Sequence, residues 1–331
     1  MFSAATKAWK LATNAFSKES KEYRRKQQYK SFRYALIHPF FASQWFKIFC
    51  SPEFHLIAEH RSRLYIKPFR VYMSVYWDRD RRVKVILDTY RFIQSAGEGF
   101  LQVIASEEPM PLAVFRLKDG SEARLSIGYD ERYRKEGELA MFLHCGQPGG
   151  FIAGASFSFE NTAKEGWVCR IGCIQGHKNG EEDLIKSAQN LMNGLRPKSF
   201  MVFAVMEFAR HSGIQRVYGA GQSIQAFRRQ HAIHIPWFHK IHFDYNKLWT
   251  ESGGKLQEDG WFLLPCTTPR KSMDEIKACK RAVYRRRYQM MDEISGEISK
   301  SVQLFNASVR EELQYNSCNT DPCEDSLSGN P

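Results

Sequence analysis

From Pro111 onward, apolar and polar positions alternate in five successive runs: Leu112–Leu117, Ala123–Tyr129, Glu138–Cys145, Phe151–Phe159 and Trp167–Gln175. A period of two is the pattern of a strand with one buried face. Asp119-Gly120, Pro148-Gly149-Gly150 and Glu165-Gly166 punctuate the runs as turns. No helical stretch separates them, so an antiparallel meander is predicted. The period then changes. Glu181–Gly194 and Pro197–His211 predict two helices, broken at Arg196-Pro197-Lys198. Gln215–Tyr218 predicts a strand that closes on Tyr218-Gly219-Ala220-Gly221. A short helix is expected from Ser223, a last strand over Trp261–Leu264, and a long charged helix from Met273 to about Ser299.

Upstream the texture is helical. Residues 2–36 read as helix, with a loose apolar stripe of Ala4, Ala5, Trp9, Leu11, Ala12 and Phe16, then a basic run at Lys18, Lys21, Arg24, Arg25 and Lys26. His38-Pro39 interrupts it, because proline disfavours helix at the preceding residue. Residues 40–106 are expected to be mainly helical. Ser51-Pro52-Glu53 is a helix start, and Lys84–Gln94 is periodic at Val85, Ile86, Tyr90 and Ile93. Over Leu64–Val75 strand and helix both fit. The expected chain is therefore α+β: a mainly helical basic region over 1–106, then a mostly antiparallel sheet with flanking helices over 107–300. An acidic tail over 301–331 follows, whose composition after Asn316 predicts disorder.

Composition sharpens this. The 331 residues are 43% hydrophobic and 14% aromatic, ample for a core. The net charge of +12 favours anionic partners: nucleic acid, anionic lipid, lipopolysaccharide or a phosphorylated cofactor. The first 50 residues carry ten Lys/Arg against two acids, whereas after Arg310 there are five acids and no base. A basic amphipathic helix can lie on an anionic membrane. A solvated helix packed on the body is favoured here, because the basic run lacks interleaved large apolar residues. No signal-peptide-like stretch opens the chain, and the longest apolar run, Phe200–Met206, is seven residues. A spanning helix needs about twenty. A soluble, cytoplasmic protein is expected, with any membrane contact peripheral. Eight cysteines form no Cys-x-x-Cys pair. Cys169 and Cys173, four apart on one strand, are expected on one face as small core residues rather than as a disulfide.

Candidate chemistry concentrates in three places. The loop Gln175-Gly176-His177-Lys178-Asn179-Gly180 ends a strand and precedes a helix, an arrangement whose backbone N–H groups can hold a pyrophosphate. Meander, loop, helix, strand and helix resemble the order of a GNAT-type acyltransferase. That resemblance implies acyl-coenzyme A bound at Gln175, Gly176, His177, Asn179 and Gly180. The loop keeps Gln175 and Gly180 but not the family's spacing, and Glu181, Glu182 and Asp183 in the next turn would repel phosphate. A strand that splays from its neighbour to leave a coenzyme-shaped cleft supports a transferase; if side chains fill that space, the transferase reading fails. Arg196 and Lys198 lie at a helix N-terminus, where cations are mildly unfavourable unless an anion joins them. Arg281, Arg285, Arg286, Arg287 and Tyr288 form the densest basic patch, fit either to grip phosphate or to pair with Asp274, Asp292 and Glu293. The histidines of HAIHIPWFHKIH (231–242) tempt a metal assignment, but Pro236 and the absence of a nearby cysteine favour packing roles, and no metal is assigned. No P-loop, HExxH, dinucleotide fingerprint or Ser-His-Asp order is present.

The strings IQG at 174–176, LMNGLRPKSFMVFAVMEFAR, IQRVYGAG, EDGWFLLP and KRAVYRRRYQMMDEI resemble the VirK/YbjX family of bacterial proteins, over roughly Leu112 to Ile294. The resemblance implies links to virulence and envelope stress, including surface display of an outer-membrane virulence protein and resistance to antimicrobial peptides. It implies no defined reaction. Three readings follow: a VirK/YbjX-like protein supporting the envelope, an acyltransferase using acyl-coenzyme A, and a binder of nucleic acid or an anionic surface.

Overall fold

The computed structural model describes residues 2–54, 57–58, 61–146, 150–176, 182–226 and 243–318. The five alternating runs form β1 (Met110–Arg116), β2 (Glu122–Gly128), β3 (Leu139–Cys145), β4 (Phe151–Thr162) and β5 (Gly166–Gly176), each antiparallel to the next. The chain then crosses over through α6 (Glu182–Leu191) and α7 (Pro197–His211) and returns as β6 (Arg216–Ala220), parallel to β5. A parallel neighbour requires such a crossover. β7 (Lys255–Leu256) and β8 (Trp261–Leu263) complete the sheet, in the order β1-β2-β3-β4-β5-β6-β8-β7. The fold is α+β with a mostly antiparallel sheet, and its meander, crossover helices and parallel strand follow the GNAT-like order of parts.

α7 explains itself. Pro197 presets its first turn, and Arg210 and His211 complement its C-terminal dipole. Every residue from Phe200 to Ala209 is buried, so it is a core helix rather than a surface one. It packs on β3, β4 and β5, with the Phe208 ring 5.8 Å from Phe157 and 5.6 Å from Phe100. α9 (Ala278–Cys318) lies over α7 and β1. It starts later than expected and runs past Ser299, where Val302 and Phe305 are still buried.

The predicted helix over 2–36 is two helices, α1 (Phe2–Ala15) and α2 (Lys21–Ile37), folded into a hairpin. The break has a local cause: the Ser20 hydroxyl accepts from Tyr23 N at 3.3 Å and caps α2. Fully buried Ala5, Ala8 and Ala12 let the helices approach. α3 (Pro39–Phe49), α4 (Arg79–Ala96) and α5 (Glu98–Ala105) follow. The ambiguous stretch from Leu64 is a 3₁₀ helix over Ser62–Phe69, followed by isolated bridges at Tyr72 and Ser74.

One irregularity matters for the site. The β4–β5 register shifts between Ser156 and Phe157, leaving Gly172 unpaired. The extra residue reverses which way the following side chains point. Cys169 therefore faces with Phe159, whereas Cys173 faces with Ser156. The expectation of one shared face is wrong for that reason; both thiols are buried and free. Glycine is required at 172 because the turn before β3 crosses there, and a Cβ would overlap the Glu136 carbonyl. The same side of the sheet carries a buried polar cluster. Lys67 Nζ lies 2.6 Å from Glu138, the Tyr90 hydroxyl donates to Glu138 at 2.6 Å, and Tyr72 and Ser158 share a 2.6 Å hydrogen bond. These contacts tie the N-terminal region to the sheet.

Candidate functional site

β5 and β6 pair only from Val168 to Ile171, opposite Arg216 to Gly219. β5 then continues to Gly176, so the two strands part. α8 (Tyr245–Glu251) fills the parting. The Tyr245 hydroxyl donates to Ile174 O at 3.0 Å, and Trp249 Nε1 donates to Ala220 O at 2.9 Å. Both side chains are buried, and the Trp249 ring lies where a Cβ on Gly219 would be. Among the described residues these side chains leave no coenzyme-shaped gap between the strands, the outcome under which the transferase reading fails.

The open space lies one layer further out. A cleft of about 410 Å³ sits over the ends of β4 and β5. Its floor is Ile152, Ala153 and Gly176, and its walls are α6, the start of α7, and Phe243 with α8. Among the described residues the start of α7 has no side-chain cap: Arg196 stands at the cap position but makes no side-chain cap hydrogen bond. Pro197 has no N–H, and Phe200 N already bonds to Arg196 O at 2.9 Å. Among the described residues the N–H groups of Lys198 and Ser199 are thus the donors that helix geometry leaves without an intrahelical partner, at the end where the dipole is positive.

Lys198 adds a charge at the same place. Its chain lies over Gly176, where a Cβ would come within 3.1 Å of Lys198 Cε. Its ammonium sits 3.3 Å from the Phe243 ring centroid. Burial pulls its pKa down to about 8, since desolvation disfavours the charged form. Arg196 pairs with Glu251 at 2.8 Å across the mouth. The lining is mostly apolar, with Lys198 and the helix end at one corner and the carboxylates Asp244 and Glu251 on the α8 side; that corner can hold an anion that carries an apolar arm.

The structure thus brings Gly176, Arg196 and Lys198 together. Gln175 is turned to the other face, its Nε2 3.7 Å from Cys173 Sγ. His177, Asn179 and Gly180 lie outside the described residues, as does the histidine segment 231–242. Among the described residues no group of three or more His, Cys, Asp or Glu is placed to hold a metal. The α9 patch is split. Arg281 Nε donates to Ile276 O at 3.1 Å, Arg287 Nε to Asn193 O at 3.0 Å, and the Tyr288 hydroxyl accepts from Lys271 N at 3.0 Å. Arg285 and Arg286 are exposed. Asp292 pairs with Arg270 instead, at 3.1 Å.

Sequence reasoning missed the α8 wall. A signal was present: Asp244 caps the helix by accepting from Lys247 N at 2.9 Å, and Tyr245, Leu248 and Trp249 follow at helical spacing.

Comparison with known proteins places the chain among bacterial relatives. It is 25% identical to the uncharacterized protein YbjX of Escherichia coli (strain K12) over 282 residues, 84% of each chain. It is 25% identical to an uncharacterized protein of Haemophilus influenzae over 221 residues, 66% of this chain and 70% of that one. Among solved structures, a cAMP-binding acyltransferase from Mycobacterium smegmatis is 11% identical over 68% of this chain and 65% of its own, at a TM-score of 0.28. That likeness is too distant to carry an argument. Among the described residues no helix is long and apolar enough to cross a membrane. The match that decides the family is the model described as "Protein of unknown function (DUF535)", which spans residues 20–300; the chain belongs to that family, and the VirK/YbjX resemblance read from its motifs stands with it.

Proposed function

We propose that the cleft over Gly176 binds a phosphorylated small molecule with an apolar arm, of the acyl-coenzyme A class. The observation that carries this reading is the start of α7, without a side-chain cap among the described residues, beside the desolvated Lys198. Two N–H donors, a helix dipole and an ammonium converge where a phosphate would neutralise all three. Ile152, Ile185 and Leu248 offer the apolar surface for the arm. Because Tyr245 and Trp249 fill the parting between β5 and β6, the ligand lies across the strand ends rather than between the strands.

Because side chains fill that parting, the cleft is read as a binding site and no acyl transfer is assigned to it. From the family resemblance we infer the setting: support of the envelope, bearing on surface display of virulence proteins and on resistance to antimicrobial peptides.

Calorimetry with acetyl-coenzyme A tests the binding step. The wild-type chain is expected to bind, and Gly176→Asp to abolish binding, because the new carboxylate lands on Lys198 and takes the phosphate's place. Equal affinity in the two proteins would remove this cleft from the site.

A further inference from the structure

The N-terminal hairpin presents a second feature that the cleft does not explain, and its reading is independent of the cleft. α2 carries six Lys/Arg (Lys21, Arg24, Arg25, Lys26, Lys30, Arg33) and one acid, Glu22. Its inner face, with Gln27, Gln28, Ser31 and Ala35, is buried. Its outer face holds Lys26, Tyr29, Lys30, Arg33 and Ile37, spaced three and four apart and so on one side of the helix. The stripe ends at the corner with α3, where Phe40 is 87% exposed and Ile37 57%; Tyr29 is 62% exposed.

The sequence alone argued against a membrane face, because the basic run had no large apolar residues among it. The fold supplies them: Tyr29, Ile37 and Phe40 project beside the cations. Next to this corner lies a groove of about 440 Å³ lined by Lys30, Arg33, His38 and Arg70, with Tyr34 stacked on Phe69 at 4.3 Å as its wall. Arg70 donates to the neutral Gln27 at 2.6 Å and has no carboxylate within ion-pair distance among the described residues. Burial and the nearby Arg134 both disfavour its charge. An incoming phosphate would offset both effects.

We propose that this corner docks on an anionic lipid surface, with Ile37 and Phe40 entering the headgroup layer and a lipid phosphate seated among Lys30, Arg33 and Arg70. Several clustered cations on one helix face, joined to exposed apolar side chains, suit an interface that is negative outside and apolar beneath. Nothing in the stripe needs a specific base or peptide.

Flotation of the full chain with vesicles tests this. Vesicles of phosphatidylcholine with phosphatidylglycerol should carry the protein, and pure phosphatidylcholine should not. Binding should fall in 0.5 M salt, where the screening length shrinks to a few ångströms, about 3–5 Å. Phe40→Ser should weaken partition by roughly tenfold through lost apolar burial. Changing Lys30 and Arg33 together to Gln should weaken it by about thirtyfold at low salt. These side chains are exposed, so melting curves should be unchanged and the loss attributable to the surface. Equal flotation of the Phe40 variant, or no preference for anionic vesicles, overturns the proposal. So does binding of free phosphate or duplex DNA without vesicle binding, which would make the corner a soluble anion site or a nucleic-acid site.

Discussion

Two titrating side chains near the end of β5 have pKa values displaced by burial, and each makes a pH-dependent claim. Lys198 lies on the cleft side; the half-buried Glu136 lies on the other, where burial raises its carboxyl to about 7. A carboxyl raised from its usual value of about 4.5 holds its proton in the fold while the unfolded chain has released it. Stability should therefore fall as pH rises from about 4.5 to 7, with the cost fully present above that window. Glu136→Gln should remove this loss and raise the melting temperature at pH 8 relative to wild type, with little change at pH 4. Parallel melting curves of the two proteins from pH 4 to 8 would contradict the assignment. Lys198 has the opposite charge and the same cause: burial weakens its hold on the proton, and an arriving anion would strengthen it.

Among the elements, β5 is where regular structure gives way to a site. Its bulge at Gly172 sends Cys173 and Gln175 to one side and leaves Gly176 under Lys198 on the other. Gly172→Ala should destabilise the fold by about 2–4 kcal/mol, because backbone stands where the methyl would go and cannot rotate away. Urea unfolding measures it; a loss under 1 kcal/mol would mean the crossing turn yields freely. The meander itself was legible. Period-two alternation located β1 to β5 within a few residues, and Pro197 with His211 marked both ends of α7. The bulge was not legible, since one extra residue leaves the apolar pattern of Cys169 to Ile174 unchanged while reversing its faces. Of the site, the sequence pointed to Gly176, Arg196 and Lys198 separately. Their convergence depends on the crossover, and the α8 wall depends on a seven-residue helix announced only by its Asp244 cap and three apolar positions.

At the scale of the whole molecule, the N-terminal helices are held to the sheet by a buried ion pair rather than by apolar contact alone. Lys67→Met would strand the Glu138 charge in the interior and should cost about 3–5 kcal/mol, read from the urea midpoint. An unchanged midpoint would show that Tyr90 and Ser158 hold the cluster without the lysine. In the cleft, α7 and Lys198 are placed to grip a phosphorylated ligand. The most direct measurement is calorimetry of acetyl-coenzyme A against wild type and Lys198→Met between pH 7 and 9.5. A bound phosphate stabilises the ammonium, so above pH 8 binding must take up a proton. Wild-type affinity should fall by about tenfold per pH unit above that point. The variant should bind about ten- to hundredfold more weakly at pH 7, the worth of one charge-assisted contact, and show no such slope. Equal affinity at pH 7, or a wild-type profile as flat as the variant's, would mean that Lys198 does not hold the phosphate.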